Sequence, residues 1–414
     1  MSSSPFALRL ATEPVVLASI EQIAREGARR ALQKAIEQEV AEYVEAHRHH
    51  IDESNHRLVV RNGHKPPRTI LSGVGPIEVI QPRVDDRRVD VNGVRFRFTS
   101  KILPRYLRKT KAIEELVPWL YLKGISSGEM PDALVHLGFD GSGLSATSVV
   151  RMLQVWQGEH TDWSRRDLSG KRYVYLWADG LYFGCRLSDD RPCLLVLMGA
   201  TADGRKELIA LIDGQRESET SWTSLLLDCK SRGMSQAPKL ATGDGSLGFW
   251  CALSKVFPAT RQQRCWVHKT LNVLDKLPKS EQPAAKAMLH EIWMAATRAD
   301  AINAFDRFIE VYRTKWPRAT ACLEKDRAEL LAFYDFPAEH WGHLRTSNPI
   351  ESTFATVRLR TYRTKGPGSR EAGLAMAFKL ARKAESRWRK LNGSAKLQEL
   401  IDGIAFVDGE RIAA

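Results

Sequence analysis

The chain is 414 residues long, 43% hydrophobic and 27% charged, which is material for two to three packed domains and too apolar for global disorder. Charge breaks every apolar run well short of the ~20 residues of a membrane span, the opening residues hold no secretory apolar core, and six scattered cysteines suit reduced thiols; a soluble cytoplasmic protein is expected. The net charge of +13 is concentrated in residues 57–111, with 14 Lys and Arg against 4 Asp and Glu, and in residues 352–393, with 11 against 2, a distribution suited to a polyanion and to a nucleoid-associated protein.

Residues 17–46 place Ile20, Ile23, Ala28, Leu32, Ile36 and Val40 at three- and four-residue steps, which predicts one amphipathic helix. No partner helix follows within sixty residues, so the stripe is expected to bury itself on a distant domain or on a second chain. Segment 1–56 is therefore a candidate for oligomerisation, as a homodimer or larger homo-oligomer. From Arg57 the pattern changes to short β-like pieces (RLVV, RTILS, PIEVIQ, VRFRF) between turn residues, predicting a small basic β module over 57–111. On a strand, Arg95 and Arg97 would carry cations on one face while Phe96 and Phe98 put rings on the other.

Three short helices are predicted across 112–165. The third, capped by Ser145, would present Thr147, Ser148 and Arg151 outward while Val149, Val150 and Leu153 pack, a helix-turn-helix-like DNA-binding pattern. At Arg172 the β signal strengthens: YVYLWADGLYFGCRL, PCLLVLMGAT and KELIALIDGQ read as apolar strands, followed by a helix, the buried strand KLATGD, a helix and the strand ATRQQRC. That β-β-β-α-β-α-β order over 171–266 predicts an α/β domain with a mixed sheet. Residues 267–345 are helical by pattern, with Pro278, Pro283, Pro317 and Pro337 at boundaries. Residues 346–414 complete the chain with a helix from Ile350, a Gly/Pro break and a basic helix from about Arg370 to Lys390. The class is multidomain, α+β combined with α/β.

Three acids stand where elements of the α/β domain end: Asp179, Asp244 and Glu351. A β-β-β-α-β core brings the end of its first strand beside the end of its fourth, and a helix returning across the sheet can add a third carboxylate. Clustered carboxylates repel one another unless cations sit among them. With two Mg²⁺ ions, or Mn²⁺ as substitute, they form a hard-oxygen site for in-line phosphoryl displacement. Each acid also has a plain structural reading. Ala-Asp-Gly makes a hairpin turn, Gly-Asp-Gly a strand-to-helix turn capped by Asp244, and Asn348, Pro349 and Glu351 an N-cap, N1 and N3 set.

The stretches RNGHKPPRTI, WADGLYFG, ATGDGSLGF, QRCWVHKTLNVLDKLPKS and FYDFPAEHWGHLRTSNPIESTFATVRLRT, with TKGPGSR behind it, resemble the Mutator-type family of bacterial insertion-sequence transposases over most of the chain. The resemblance implies a ribonuclease-H-like Asp-Asp-Glu catalytic domain with an all-helical insertion, its acids falling on Asp179, Asp244 and Glu351. It implies binding of the element's terminal inverted repeats and of target DNA. It further implies Mg²⁺-dependent strand cleavage and transfer, without a covalent protein–DNA intermediate, along a replicative pathway through a circular copy. The basic run of Arg358, Arg360, Arg363 and Lys365 adjoins Glu351 and is expected to meet phosphates. The family's Cys-x-x-His motif falls on Cys265 and His268. Two ligands with no second pair nearby make a poor tetrahedral zinc site, so with Trp266 they are expected to pack and hydrogen-bond beside the site. Pro131, within the second predicted helix, departs from the family pattern and leaves that helix's boundaries open. A domesticated DNA-binding repressor and a structure-specific nuclease of the same fold are the alternative functions.

Overall fold

The computed structural model describes residues 19–123, 125, 129–136, 146–182, 193–214, 216–363 and 369–412. Contacts divide the chain into two compact units, Met1–Val149 and Val150–Ala414.

In the first unit, α1 (Ile20–Ala46) begins at Ser19, whose hydroxyl accepts from the Gln22 N–H while the Gln22 amide oxygen accepts from the Ser19 N–H. This reciprocal cap satisfies two otherwise orphaned donors of the first turn. Strands β1 (Val59–His64) and β4 (Pro82–Asp86) pair antiparallel, and β2 (Arg68–Ser72) and β3 (Gly75–Val79) form a hairpin. Ile36, flanked by Ala28 and Leu32, packs on Ile70, Ile77, Val79 and Leu103. Gln33 lies across the end of the hairpin, its side chain donating to the Ile80 carbonyl and accepting from the Ile80 N–H. Glu39 accepts from the N–H groups of Lys101 and Ile102. The central part of the stripe thus docks in cis, on the β module that follows it, and not on a distant domain. The physical reason is mutual need, since a two-stranded hairpin with one apolar face is not stable until that face is covered. Ile20 and Ile23 alone, at the start of the stripe, stay exposed.

VRFRF does not form the expected strand. Its one ladder contact is the isolated bridge Val89↔Arg95. The Asp90 carboxylate instead takes the N–H groups of Asn92 and Val94 in a tight turn. Arg95 is drawn to Asp85 at 2.7 Å and donates to the Asp86 carbonyl. Phe96 lies 5.0 Å under the Arg88 guanidinium and Phe98 4.9 Å from the Tyr43 ring.

Helices α2 (Lys111–Lys123) and α3 (Met130–His136) follow. Pro131 is the second residue of α3, within the first turn, where no backbone donor is needed, so it marks the start of that helix and does not interrupt it. The predicted cap Ser145 lies outside the described residues. Helix α4 (Ala146–Ser164) crosses the unit boundary. Val150, expected to pack, is 51% exposed, whereas Trp156 is buried. The apolar contacts of α4 are made further along: His160 meets Phe378 edge-on and Trp163 meets it at a tilt, each with ring centroids 5.1 Å apart, and His160 hydrogen-bonds the Leu211 carbonyl.

The second unit is built on one five-stranded mixed sheet. β5 (Tyr173–Tyr182), β6 (Cys193–Thr201) and β7 (Lys206–Gly214) form an antiparallel meander. Helix α5 (Glu219–Ser231) leads to β8 (Leu240–Gly243), and α6 (Leu247–Val256) to β9 (Arg261–Arg264), both strands parallel to β5. The order is β7-β6-β5-β8-β9. Strands buried on both faces read as continuous apolar runs, which is why β5 and β6 are so legible. One face packs under α5 and α6 through Leu176, Leu195, Trp222, Leu226, Phe249 and Leu253.

A helical block separates β9 from the end of the chain: α7 (Trp266–Leu274), α8 (Gln282–Met294), α9 (Arg298–Arg313), α10 (Pro317–Glu324), α11 (Arg327–Leu330) and α12 (Trp341–Leu344). Pro283 and Pro317 sit at helix starts, where proline is tolerated. Helix α13 (Asn348–Arg363) then returns to the sheet, followed by α14 (Arg370–Glu385) and α15 (Lys396–Ile401), with a terminal pair β10 (Phe406–Val407) and β11 (Glu410–Arg411). The basic helix α14 ends at Glu385, short of the predicted Lys390. Arg370 forms a bidentate pair with Asp213, and Lys379 pairs with Glu159, so part of the C-terminal positive charge serves the fold.

Candidate active site

Strand β5 sets the first acid. Leu176 and Ala178 belong to the core under α5 and α6, so the alternation of a strand turns Tyr175, Trp177 and Asp179 to the other face. There the Tyr175 hydroxyl hydrogen-bonds His340 Nδ1 at 2.8 Å and Trp177 donates to the His343 carbonyl at 2.9 Å. Thr242 of β8 donates to the Leu344 carbonyl at 2.7 Å. The segment just ahead of α13 is thereby pinned to the sheet. Asp179 lies inside a ten-residue strand, paired with Val196, and is not part of a hairpin turn.

Ala178 and Gly243 are register partners on neighbouring parallel strands, so Asp179 and Asp244 stand one residue further along at the same end of the sheet. Adjacent strands lie about 4.8 Å apart. The Asp244 carboxylate accepts from the Ser246 N–H at 2.8 Å, which is the strand-to-helix turn role, but the N-cap of α6 is Ser246. The Asp244 carbonyl is fixed by Trp250 Nε1 at 2.8 Å and by Arg264 at 3.0 Å.

Glu351 is tied to the same strand end through the Cys-x-x-His motif. The Cys265 N–H donates to the Gly243 carbonyl at 2.8 Å. Ser347 donates its N–H to Cys265 Sγ at 3.2 Å and its hydroxyl to Glu351 Oε1 at 2.6 Å. His268 Nδ1 lies 3.7 Å from that oxygen. Helix α13 starts one residue earlier than a capping box on Asn348 requires: the Ser347 carbonyl already accepts from Ile350 and Glu351. Because the Ser347 N–H goes to Cys265, Glu351 is not a capping-box glutamate.

The electrostatics set these acids apart. Burial, with the Asp244 and Glu351 charges adding, pushes the Asp179 carboxyl up to about 6. The hydrogen bond to Cys265, with the Glu351 and Asp179 carboxylates nearby, holds His268 up at about 9. A fourth acid, Glu217, just ahead of α5, is pushed to about 7 by burial and by Asp244 and Asp179. Nothing in the polar stretch GQRESETS marks that residue in the sequence. Ser347 was equally silent there, although it stands in the TSNP turn.

The sequence-predicted residues divide clearly. Asp179, Asp244, Glu351, Cys265 and His268 come together. Arg358 joins them, exposed, with its guanidinium 4.0 Å from Asp179 Oδ2. Trp266 is fully buried and donates to the Leu330 carbonyl at 2.8 Å, an anchor for α7. Arg360 and Arg363 lie on α13, and Thr147 and Ser148 on α4, with only their backbone described; Lys365 lies outside the described residues. Arg151 is exposed on α4, and Arg95 and Arg97 are exposed in the first unit. Cys265, His268 and Glu351 offer ligand atoms within 4.8 Å of one another, a third donor that spacing along the chain did not reveal.

Residues 6–390 match the profile of the family described as Transposase, Mutator family. A chain of this architecture, matched over that length, belongs to the Mutator family of transposases, DNA-processing enzymes of insertion sequences. It is 52% identical over 297 residues to the transposase for insertion sequence element IS6120 of Mycolicibacterium smegmatis, covering 72% of this chain and 92% of that one. It is 50% identical over 288 residues to the transposase for element IST2 of Acidithiobacillus ferrooxidans, covering 68% and 95%. A more distant relative, the transposase for element ISRM5 of Rhizobium meliloti (strain 1021), is 25% identical over 378 residues and 91% of both chains. Among the described residues no helix is long and apolar enough to cross a membrane.

Proposed function

We propose that this transposase cuts and rejoins the DNA ends of its insertion sequence at Asp179, Asp244 and Glu351, within a ribonuclease-H-like domain interrupted by residues 267–345. One observation carries the reading: the β5–β8 register sets Asp179 and Asp244 at one sheet end, and Cys265 and Ser347 moor Glu351 to that end. The antiparallel meander followed by two parallel strands supports the ribonuclease-H-like assignment.

The donor set fits a hard divalent cation. Asp179 is 6% exposed, accepts no hydrogen bond from the described residues, and has its one ion pair at a long 4.0 Å. A buried carboxylate in that state, with the partly buried Asp244 and Glu351 beside it, is suited to Mg²⁺ or Mn²⁺. Asp179, Asp244 and Glu351 would hold it, and two such ions would supply activation of the attacking hydroxyl and stabilisation of the departing 3′ oxygen. The chain's own contribution is positioning. Strand β5 fixes Asp179 from a buried ladder, Ser347 fixes one oxygen of Glu351, and protonated His268 tempers the like charges. Arg358, exposed beside Asp179, is set to neutralise a phosphate brought to the acids. Residues 57–156, with Arg95, Arg97, Thr147, Ser148 and Arg151, would read the inverted repeats, and Arg360, Arg363 and Lys365 would extend the phosphate contacts. Two ends are held by a homo-oligomer working on the nucleoid.

The test is a strand-transfer assay with full-length protein, end-labelled inverted-repeat DNA and Mg²⁺. Joined products that depend on the repeat sequence are expected. Cleavage without joining would favour the nuclease reading, and binding without either would favour a repressor.

A further inference from the structure

Among the described residues, Glu217 is an acid electrostatically coupled to the cluster that neither the sequence pattern nor the proposed chemistry uses. Its place is specific. It precedes Ser218, the N-cap of α5, and its carboxylate occupies the space that a side chain at Gly180 would fill: a methyl group there would overlap Glu217 Oε1 and Cδ. Gly180 follows Asp179 directly on β5. It lies two residues beyond Ala178 on the face under α5 and α6, so Glu217 reaches the end of β5 from the side opposite Asp179.

A second glycine admits the same segment. A Cβ on Gly248, in the first turn of α6 and four residues after Asp244, would lie 2.6 Å from the Glu217 carbonyl and 2.8 Å from the Glu219 nitrogen. Both motifs that carry an acid, Ala-Asp-Gly and Gly-Asp-Gly-Ser-Leu-Gly, therefore also carry the glycine that lets residue 217 approach. The neutral contact available to it is Tyr182, whose hydroxyl donates to Glu217 Oε2 at 3.3 Å. No Lys or Arg forms a salt bridge with Glu217 among the described residues. A carboxylate drawn out of water toward two others, with no basic partner, costs stability unless something compensates it.

We infer that Glu217 is a fourth carboxylate of the cation-binding cluster, reaching the cations from the α5 side of the sheet, and that Gly180 and Gly248 are glycines because they admit it. The inference rests on the proposed function, since it presumes that Asp179 and Asp244 hold divalent cations. It assigns Glu217 a positioning role at the end of β5: the carboxylate would accept a hydrogen bond from cation-bound water or coordinate the cation through an oxygen, and is not the attacking base.

The test uses full-length protein at pH 8 and Mn²⁺ as the probe, with thermal unfolding and Mn²⁺ binding by electron paramagnetic resonance as readouts. Glu217→Gln should unfold at a higher temperature than the unmutated chain when both are stripped of metal, because a repelling charge is gone. The same variant should bind Mn²⁺ ~10-fold more weakly, within the range for residues that orient metal ligands, and should gain less thermal stability from saturating Mn²⁺. Gly180→Ala should lose Mn²⁺ affinity as well, by displacing the same carboxylate. Metal-free destabilisation of Glu217→Gln with unchanged Mn²⁺ affinity would overturn the inference and make the residue a support for α5. Asp179→Asn, run alongside, separates the two readings. If it abolishes Mn²⁺ binding while Glu217→Gln leaves binding intact, only the fourth-acid inference fails. If it too leaves Mn²⁺ binding intact, the proposed site fails first.

Discussion

Asp86 of the first unit and Asp179 of the second are both buried aspartates, and the chain treats them in opposite ways. Asp86 accepts from the Arg88 guanidinium at 2.7 and 2.9 Å and from the Tyr43 hydroxyl at 2.7 Å. Those bonds, chiefly from Arg88, hold its carboxyl down at about 2. Asp179 has a distant guanidinium and neighbouring acids, and burial holds it up at about 6. A buried charge paired at close range is a structural fastening; one held among like charges, with its guanidinium 4.0 Å away, contributes no such fastening. The contrast separates an acid that fastens the fold from one that, in the function proposed above, holds a cation.

The largest structural effect expected from the comparison is at Asp86. Asp86→Asn leaves Arg88 without its anion in a buried setting and should cost roughly 3 kcal/mol, the scale for breaking one side of a buried pair. Because the folded carboxyl is depressed below its ordinary value of 3.8, the lost stability is fully present above about pH 4 and vanishes as the pH falls through about 2. Hydrogen exchange of the β1 and β4 amides in the full chain should be faster in the variant at neutral pH and converge with the unmutated chain near pH 2. Equal exchange at neutral pH would mean the pair fastens nothing.

A smaller effect tests the mooring of Glu351. Ser347→Ala keeps the N–H that donates to Cys265 and removes the hydroxyl that holds Glu351 and also lies 3.2 Å from Cys265 Sγ and 3.4 Å from His268 Nδ1. Strand cleavage should fall ~10-fold, the low end for a group that orients a metal ligand, with little change in thermal stability. A matching loss of stability with normal cleavage would place Ser347 with Asp86, among the fastenings.

The two units were also unequally legible in the sequence. The sheet of the second unit announced itself because its strands are buried on both faces, so β5 and β6 are unbroken apolar runs that no loop or surface helix imitates. Although β5 continues past Asp179 to Tyr182, Asp179 and Asp244 were visible because each directly follows an apolar run, YVYLWA and KLATG, and Glu351 because it follows the TSNP turn. What holds them was not. The bonds Cys265–Gly243, Ser347–Cys265 and Ser347–Glu351 join residues 22, 82 and 4 positions apart; the first exists only once β8 and β9 are paired, and the second only once the start of α13 docks on that strand end. Glu217 was hidden for the same reason, since its address is a missing side chain on Gly180, 37 positions away. In the first unit the helix α1 was readable from its period, but its partner was not. The β module that covers it offers short, half-polar strands, and pairing a helix with a hairpin depends on which side chains the hairpin turns inward. VRFRF misled because alternation in sequence gives a strand only where a neighbour accepts its hydrogen bonds, and here the Asp90 turn takes the Val94 N–H while the ladder to the chain before it is limited to the Val89↔Arg95 bridge.

The most direct test of the account exchanges the charge of each predicted metal ligand while leaving its shape. Asp179→Asn, Asp244→Asn and Glu351→Gln should each fold and bind inverted-repeat DNA, and each should lose Mg²⁺-dependent strand cleavage by ~10³-fold or more, as when charge stabilisation of a transferring phosphoryl group is removed. Near-normal cleavage by any one of the three amide variants under Mg²⁺ would contradict the account, because an asparagine or glutamine can replace a turn or packing residue but not a ligand whose charge the chemistry requires.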